Sequence, residues 1–172
     1  MDQQENRKNV LRHLGQLGVD YAITEHPAVY TIEEMLNSGI KLMGEVCKNL
    51  FMRDSAGKRH FLVTIPNDKK APLNILQQKL GTSRLSFASE KRLARYLKLH
   101  KGEVTPFGIL NDEGRDVELV FDSTLEGNPC LGVHPNDNTA TVWISFADLH
   151  RAVAAHGNRI HMLSLRGVRS PI

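Results

Sequence analysis

Apolar residues in this chain recur with two periods, and the switches between them lay out the elements. Val10, Leu11, Leu14 and Leu17 fall three and four apart, so residues 6–17 predict an amphipathic helix that Gly18 closes. Residues 21–26 (YAITEH) alternate as a short strand, and His26-Pro27 ends it. Thr31 and Glu34 stand in capping-box spacing, which predicts a short helix to about residue 36 before Asn37-Ser38-Gly39 breaks it. Residues 40–46 (IKLMGEV) fit neither period. Apolar-rich runs at 48–53 and 59–65, joined by DSAGK, predict a hairpin. Pro72 suits the first turn of a helix running to about residue 80 and closed by Gly81. A second helix is predicted from Ser89 to about residue 97.

Residues 117–121, 131–134, 140–144 and 160–163 read as strands. Ser145, with Asp148 three positions on, caps a helix ending near His156-Gly157. The end of the chain, 165–172, reads as a frayed tail. Strands that come both as hairpins and as helix-separated runs predict an α+β fold: a single domain over 1–172, with a mixed β-sheet flanked by helices.

Bulk properties narrow the picture a little. A chain of 172 residues buries roughly 70% of its unfolded surface and needs neither disulfide nor metal to fold. A net charge of +3 permits a nucleic-acid partner without demanding one. Two distant cysteines, Cys47 and Cys130, make no disulfide framework and favour a reducing compartment. The polar N-terminus lacks the apolar core of a signal peptide, and no apolar run approaches the ~20 residues of a membrane span. A cytoplasmic protein without membrane contact is expected.

The motifs of common catalytic machinery are missing: no Gly-x-Ser-x-Gly, phosphate loop, dinucleotide fingerprint or zinc signature. Cys130, His134 and His26 lack ligand spacing, so no metal and no cofactor is expected. Cys47 reads as structural, because Lys48 beside it points to the opposite strand face. Lys48 itself shares a face with Leu50 and Met52. It either snorkels outward or holds an anion at a cleft. The loop Gly102-Glu103-Val104-Thr105-Pro106 is either a connection or a rigid presenter of backbone N–H groups. Pro106 stiffens its far end, so Gly102 has to supply the unusual backbone geometry.

Five stretches in order, TEHPAVYTIEE (24–34), CKNLFMRD (47–54), LSFAS (85–89), GEVTPFGILND (102–112) and GVHPNDNTATV (132–142), resemble the YbaK/prolyl-tRNA synthetase-associated editing domains. The resemblance spans about residues 5–165 and is nearest to the freestanding branch that clears alanine from mischarged proline tRNA. It implies a trans-editing deacylase that acts on Ala-tRNA(Pro) by ester hydrolysis, helped by the tRNA's own terminal 2′-hydroxyl. By the same resemblance Lys48, Gly102 and His134 are the catalytic set. Asn49, His26, Val29, Tyr30, Thr105 and Pro106 are substrate-binding candidates, and Arg53, at the end of the second motif, and Arg84, just before the third, are expected tRNA contacts. Pocket size depends on side chains around Val29, Tyr30 and Met43. The partner implied is the acceptor end of a mischarged proline tRNA, with prolyl-tRNA synthetase in a transient complex. Two alternatives stay open: the same chemistry on another mischarged tRNA such as Cys-tRNA(Pro), and a non-catalytic aminoacyl-tRNA sensor. Asn136-Asp137-Asn138 either folds the turn that seats the next strand or touches tRNA. On a regular strand Asn49 faces away from Lys48, so the strand is irregular there or Asn49 supports the site from behind.

Overall fold

A computed structural model describes residues 1–166. Eight strands build the fold among these residues: β1 (Ala22–Glu25), β2 (Glu45–Arg53), β3 (His60–Pro66), β4 (Ser86–Phe87), β5 (Val117–Asp122), β6 (Leu131–Val133), β7 (Ala140–Ile144) and β8 (Ile160–Leu163). They lie in the order β1-β7-β6-β2-β3-β5-β8, with β4 paired to β2 beside that path. The β2–β6, β3–β5 and β5–β8 pairs are parallel and the others antiparallel. This is the α+β fold with a mixed sheet that the pattern predicts. The frayed-tail expectation falls largely on 167–172, outside the described residues.

Among the described residues five α-helices cover the sheet: α1 (Gln3–Gln16), α2 (Ile32–Asn37), α3 (Leu73–Leu80), α4 (Glu90–Leu97) and α5 (Phe146–Ala154). Their ends follow the caps in the sequence. Thr31, Ser89 and Ser145 each accept a bond from the backbone N–H three residues on, worth about 1 kcal/mol per cap. Gly18 and Gly81 adopt left-handed backbone, with φ 65° and 61°, just past their helices. Pro72 stands one position earlier than expected, before the first helical residue of α3. No helix among the described residues is long and apolar enough to cross a membrane.

Two apolar layers sandwich the sheet. On one face Cys47, Phe51 and Leu62 pack with Val10 and Leu14 of α1 and with Leu149 and Val153 of α5. On the other, Met52, Phe61, Val63 and Ile65 pack under Leu76 and Leu80 of α3. Period-two alternation along the β2–β3 hairpin explains both layers, since Lys48, Leu50 and Met52 pair with Ile65, Val63 and Phe61 on the second face.

The hairpin's neighbours decide where a site can form. Parallel pairing of β2 with β6 lasts two residues, Glu45 with Leu131 and Val46 with Gly132. On the same edge β4 takes over only at Met52 and Arg53. Between them β2 runs without a strand partner on that edge among the described residues, and the chain after Gly132 diverges from it. A buried polar cluster holds the diverging segment. Asn6 Oδ1 accepts from Asn111 Nδ2 and Asn136 Nδ2, both at 2.9 Å. Asn138 Nδ2 donates to the Val29 carbonyl at 3.1 Å, and Arg7 approaches Asp137 at 3.7 Å. Asn136, Asp137 and Asn138 are no more than 3% exposed, so the turn belongs to the framework and has no surface to offer tRNA. Asn136 also takes left-handed backbone, φ 59°, which asparagine tolerates better than most residues.

Candidate functional site

A cavity of about 200 Å³ opens where β2 and β6 part. Lys48 and Asn49 of β2 form one side, and Gly132, Val133 and His134 form the other. Tyr30, Ile32 and Met35 cover it from the α2 side, while Gly102 and Val104 close it across the mouth. Among the described residues no acidic side chain lines it.

Lys48 is half-buried, and its Nζ donates to the Lys69 carbonyl at 2.7 Å. Lys69 is anchored in turn, with its own Nζ 3.0 Å from the fully buried Asp122 carboxylate. The Lys48 ammonium is therefore tethered by one bond and keeps two N–H donors for a ligand. Asn49 lies on the opposite face of β2, where its Oδ1 accepts from the Thr64 hydroxyl at 2.8 Å. Both residues nevertheless border the cavity. The opening lies beside an unpaired strand edge, and side chains from either face of the strand flank such an edge.

His134 Nδ1 lies 2.8 Å from the Ala140 carbonyl. A carbonyl only accepts, so Nδ1 carries the proton and Nε2 presents a lone pair. Burial, opposed by that bond but aided by nearby His26, pushes the imidazole below its ordinary value of 6.5. At neutral pH His134 is an uncharged acceptor. Thr105 is fully buried and donates its hydroxyl to the His134 carbonyl at 2.5 Å, which ties the 102–106 loop to the far wall. Gly102 takes φ 83°, and a Cβ there would lie 2.6 Å from Tyr30 Cδ1.

Some residues predicted for the site stand behind it. Val29 packs with Met35, Val46 and Trp143 in a small core cluster rather than on the cavity wall. Thr105 and Pro106 are buried off the wall, and Pro106 opens a 3₁₀ turn, Pro106–Asn111. Met43 is 52% exposed and does not line the cavity. His26 is not on the wall itself and stands behind two wall residues: its Nε2 lies 2.9 Å from the Thr141 hydroxyl, and its ring is 6.1 Å from that of His134. Arg53 and Arg84 lie outside the cavity. Arg53 pairs along β2 with His60 and Ser86. Arg92 Nη1 lies 3.0 Å from His60 Nε2 and Arg53 pairs with His60 across the hairpin; burial and then the positive field of these arginines and Arg95 hold the His60 imidazole low.

Val104 and Thr141 line the cavity without having been singled out from the sequence; their one signal was membership of the motifs at 102–112 and 132–142. Cys47 also lines it, but burial and the nearby Glu45 carboxylate push its thiol up to about 12. It is a neutral thiol and no nucleophile at working pH. Among the described residues no three His, Cys, Asp or Glu side chains are grouped to hold a metal ion.

A family model described as an aminoacyl-tRNA editing domain matches residues 26–152. The prolyl-tRNA editing protein ProX of Acetoanaerobium sticklandii is 49% identical over 92% of this chain and 97% of its own. The prolyl-tRNA synthetase associated domain-containing protein 1 of Mus musculus is 38% identical over 90% and 93%. A crystal structure of a candidate trans-editing enzyme for prolyl tRNA synthetase superposes with a TM-score of 0.70 at 20% identity, covering 94% of this chain and 98% of that one. At that identity the superposition speaks for the fold alone.

Proposed function

This chain belongs to the aminoacyl-tRNA editing domain family, and from that membership we propose that it deacylates mischarged tRNA in trans, with Ala-tRNA(Pro) as its substrate. One observation carries the reading. The gap between β2 and β6 holds an ammonium, a neutral imidazole and apolar walls, with no ionised nucleophile.

Each group has a task in ester hydrolysis. Lys48 faces the terminal phosphate and ribose with its two free N–H donors. With no carboxylate on the wall, the substrate's α-ammonium has the His134 Nε2 lone pair as its acceptor. Ile32, Met35 and Val46 surround the amino-acid side chain. The Gly102 loop lies against the ester with its backbone close, because glycine carries no Cβ.

Water then attacks the carbonyl carbon, oriented by the tRNA's 2′-hydroxyl. The carbon–oxygen bond to the ribose breaks, the 3′-oxygen takes a proton, and free alanine leaves. Orientation and electrostatics suffice for an activated ester, so the missing triad is no obstacle. A cavity of about 200 Å³ is below the ~300–1,000 Å³ typical of drug-sized ligands and suits a small side chain. One methylene changes binding in such a pocket by about 1–3 kcal/mol.

The test is release of labelled amino acid from Ala-tRNA(Pro), Cys-tRNA(Pro) and Pro-tRNA(Pro) in parallel. Fast release of alanine alone is the expected result. Preference for cysteine reassigns the substrate, and binding without release of any of the three makes the protein a sensor.

A further inference from the structure

A second groove, of about 310 Å³, runs on from the cavity and shares Asn49, Gly102 and Val104 with it. Leu50, Phe51 and Leu93 floor this groove, Lys101 and Glu90 flank it, and Phe87 stands at its side. Phe87 is 67% exposed, the most exposed large apolar side chain among the described residues. It is not on a loose loop. β4 pairs with β2 through Met52 and Phe87, and the Ala88 N–H donates to the Phe51 carbonyl at 2.9 Å. Just before it, Leu85 N–H donates to Gln77 Oε1 at 2.8 Å. The backbone is pinned on both sides, and the ring is left to solvent.

An exposed ring on a rigid strand contributes nothing to the core and has its π face free. Single-stranded nucleic acids are held by such rings together with nearby cations. Lys101 lines the groove, and Arg53 stands opposite Ser86, the residue before Phe87. The groove begins where a ligand in the cavity must leave it. In an aminoacyl-tRNA the ribose that bears the ester also bears the terminal adenine, so the base lies within one nucleotide of the reacting carbonyl. We infer that Phe87 is a stacking platform for the terminal adenine of the tRNA 3′ end, held in the groove past Gly102 and Val104 while Lys101 faces the adjoining phosphate. This rests on the tRNA-editing reading of the first cavity and adds a base subsite to it.

Substitution of Phe87 leaves the core intact because the ring is exposed, so Phe87→Ala and Phe87→Leu are expected to melt with the wild type. The probe is an acceptor-stem RNA hairpin ending in CCA, with 2-aminopurine in place of the terminal adenine. Stacking quenches that fluorophore. Wild type should quench it on binding, and Phe87→Trp should do the same. Phe87→Ala should abolish the quench and weaken binding at least about 5-fold, the lower end of the ~1–3 kcal/mol per stacked base. Phe87→Leu keeps apolar bulk without a π face and should behave like alanine. Equal quench and affinity in wild type and Phe87→Ala would place the base elsewhere, and a leucine variant matching wild type would reduce the contact to apolar burial. A hairpin that does not bind wild type would also overturn the subsite. Alanine release by wild-type protein from full-length Ala-tRNA(Pro), run alongside, separates these failures from failure of the editing reading itself.

Discussion

Gly102→Ala tests whether the mouth of the cavity is shaped by the absence of one carbon. Two costs arise at this position. The backbone is left-handed at φ 83°, and alanine there loses about 1–2 kcal/mol. The added Cβ would also stand 2.6 Å from Tyr30 Cδ1 and 3.1 Å from Tyr30 Cα. The ring is 60% exposed and can swing away, but the backbone contact forces the segment between β1 and α2 to shift by some tenths of an ångström. Stability should fall by roughly 1–2 kcal/mol, which lowers Tm by about 2–8 °C for a domain of this size. Tyr30 lines the cavity, so its displacement should also lower kcat/KM for Ala-tRNA(Pro) by more than tenfold, about 1.4 kcal/mol of transition-state stabilisation.

Gly102→Asn separates the two costs. Asparagine accepts left-handed backbone yet still carries a Cβ, so Tm should recover in part while activity stays low. Melting curves and single-turnover deacylation read both quantities. Wild-type Tm and wild-type kcat/KM in Gly102→Ala would refute the reasoning outright. Full recovery of activity in Gly102→Asn would remove the Tyr30 contact from it.

His134 gives a pH signature. Its folded value lies below the ordinary 6.5, so the neutral form persists above 6.5. The His134 contribution to kcat/KM should be constant there and fall only as the pH drops below that value, and stability contributed by the neutral ring is lost over the same acidic window. A limb above pH 6.5 that vanishes in His134→Asn would contradict the direction assigned. Asn6→Ala removes the acceptor shared by Asn111 and Asn136 at a cost of about 1–3 kcal/mol; unchanged Tm would show that the cluster does not hold the 134–138 turn. Ala-tRNA(Pro) ending in 2′-deoxyadenosine should be hydrolysed far more slowly than the natural substrate, and equal single-turnover rates would mean that water is oriented by the protein alone.

Local signals in the sequence predict local structure well here. Thr31, Ser89 and Ser145 sit where helices begin, and the β2–β3 hairpin follows its alternation and its DSAGK turn. Contacts between distant backbones left no such trace. Nothing in residue type shows that β2 and β6 pair for only two positions, yet that short pairing creates the cavity. The tether of Lys48 ends on a carbonyl, and every residue has one, so Lys69 carries no mark of it. β4 is two residues long and lies below the reach of periodicity, although its motif was conspicuous. Strand alternation put Lys48 and Asn49 on opposite faces, and that is correct. It could not show that the opening lies at the strand's edge, where both are neighbours of one cavity. The turn at 136–138 read equally as framework or tRNA contact until its burial against Asn6 and Asn111 separated the two.

Lys48 is where sequence resemblance, tethering and cavity wall coincide, and the most direct measurement is single-turnover release of alanine from Ala-tRNA(Pro) by wild type and by Lys48→Ala. The side chain is half-buried and donates to the Lys69 carbonyl alone among the described residues. Its removal therefore leaves no buried charge unpaired, and Tm should fall by no more than a few degrees. The account predicts rapid release by wild type and a drop of at least about 100-fold in the variant, on the scale of losing a charged donor aimed at the reacting end. Release by Lys48→Ala within about twofold of wild type, from protein that melts normally, would contradict it.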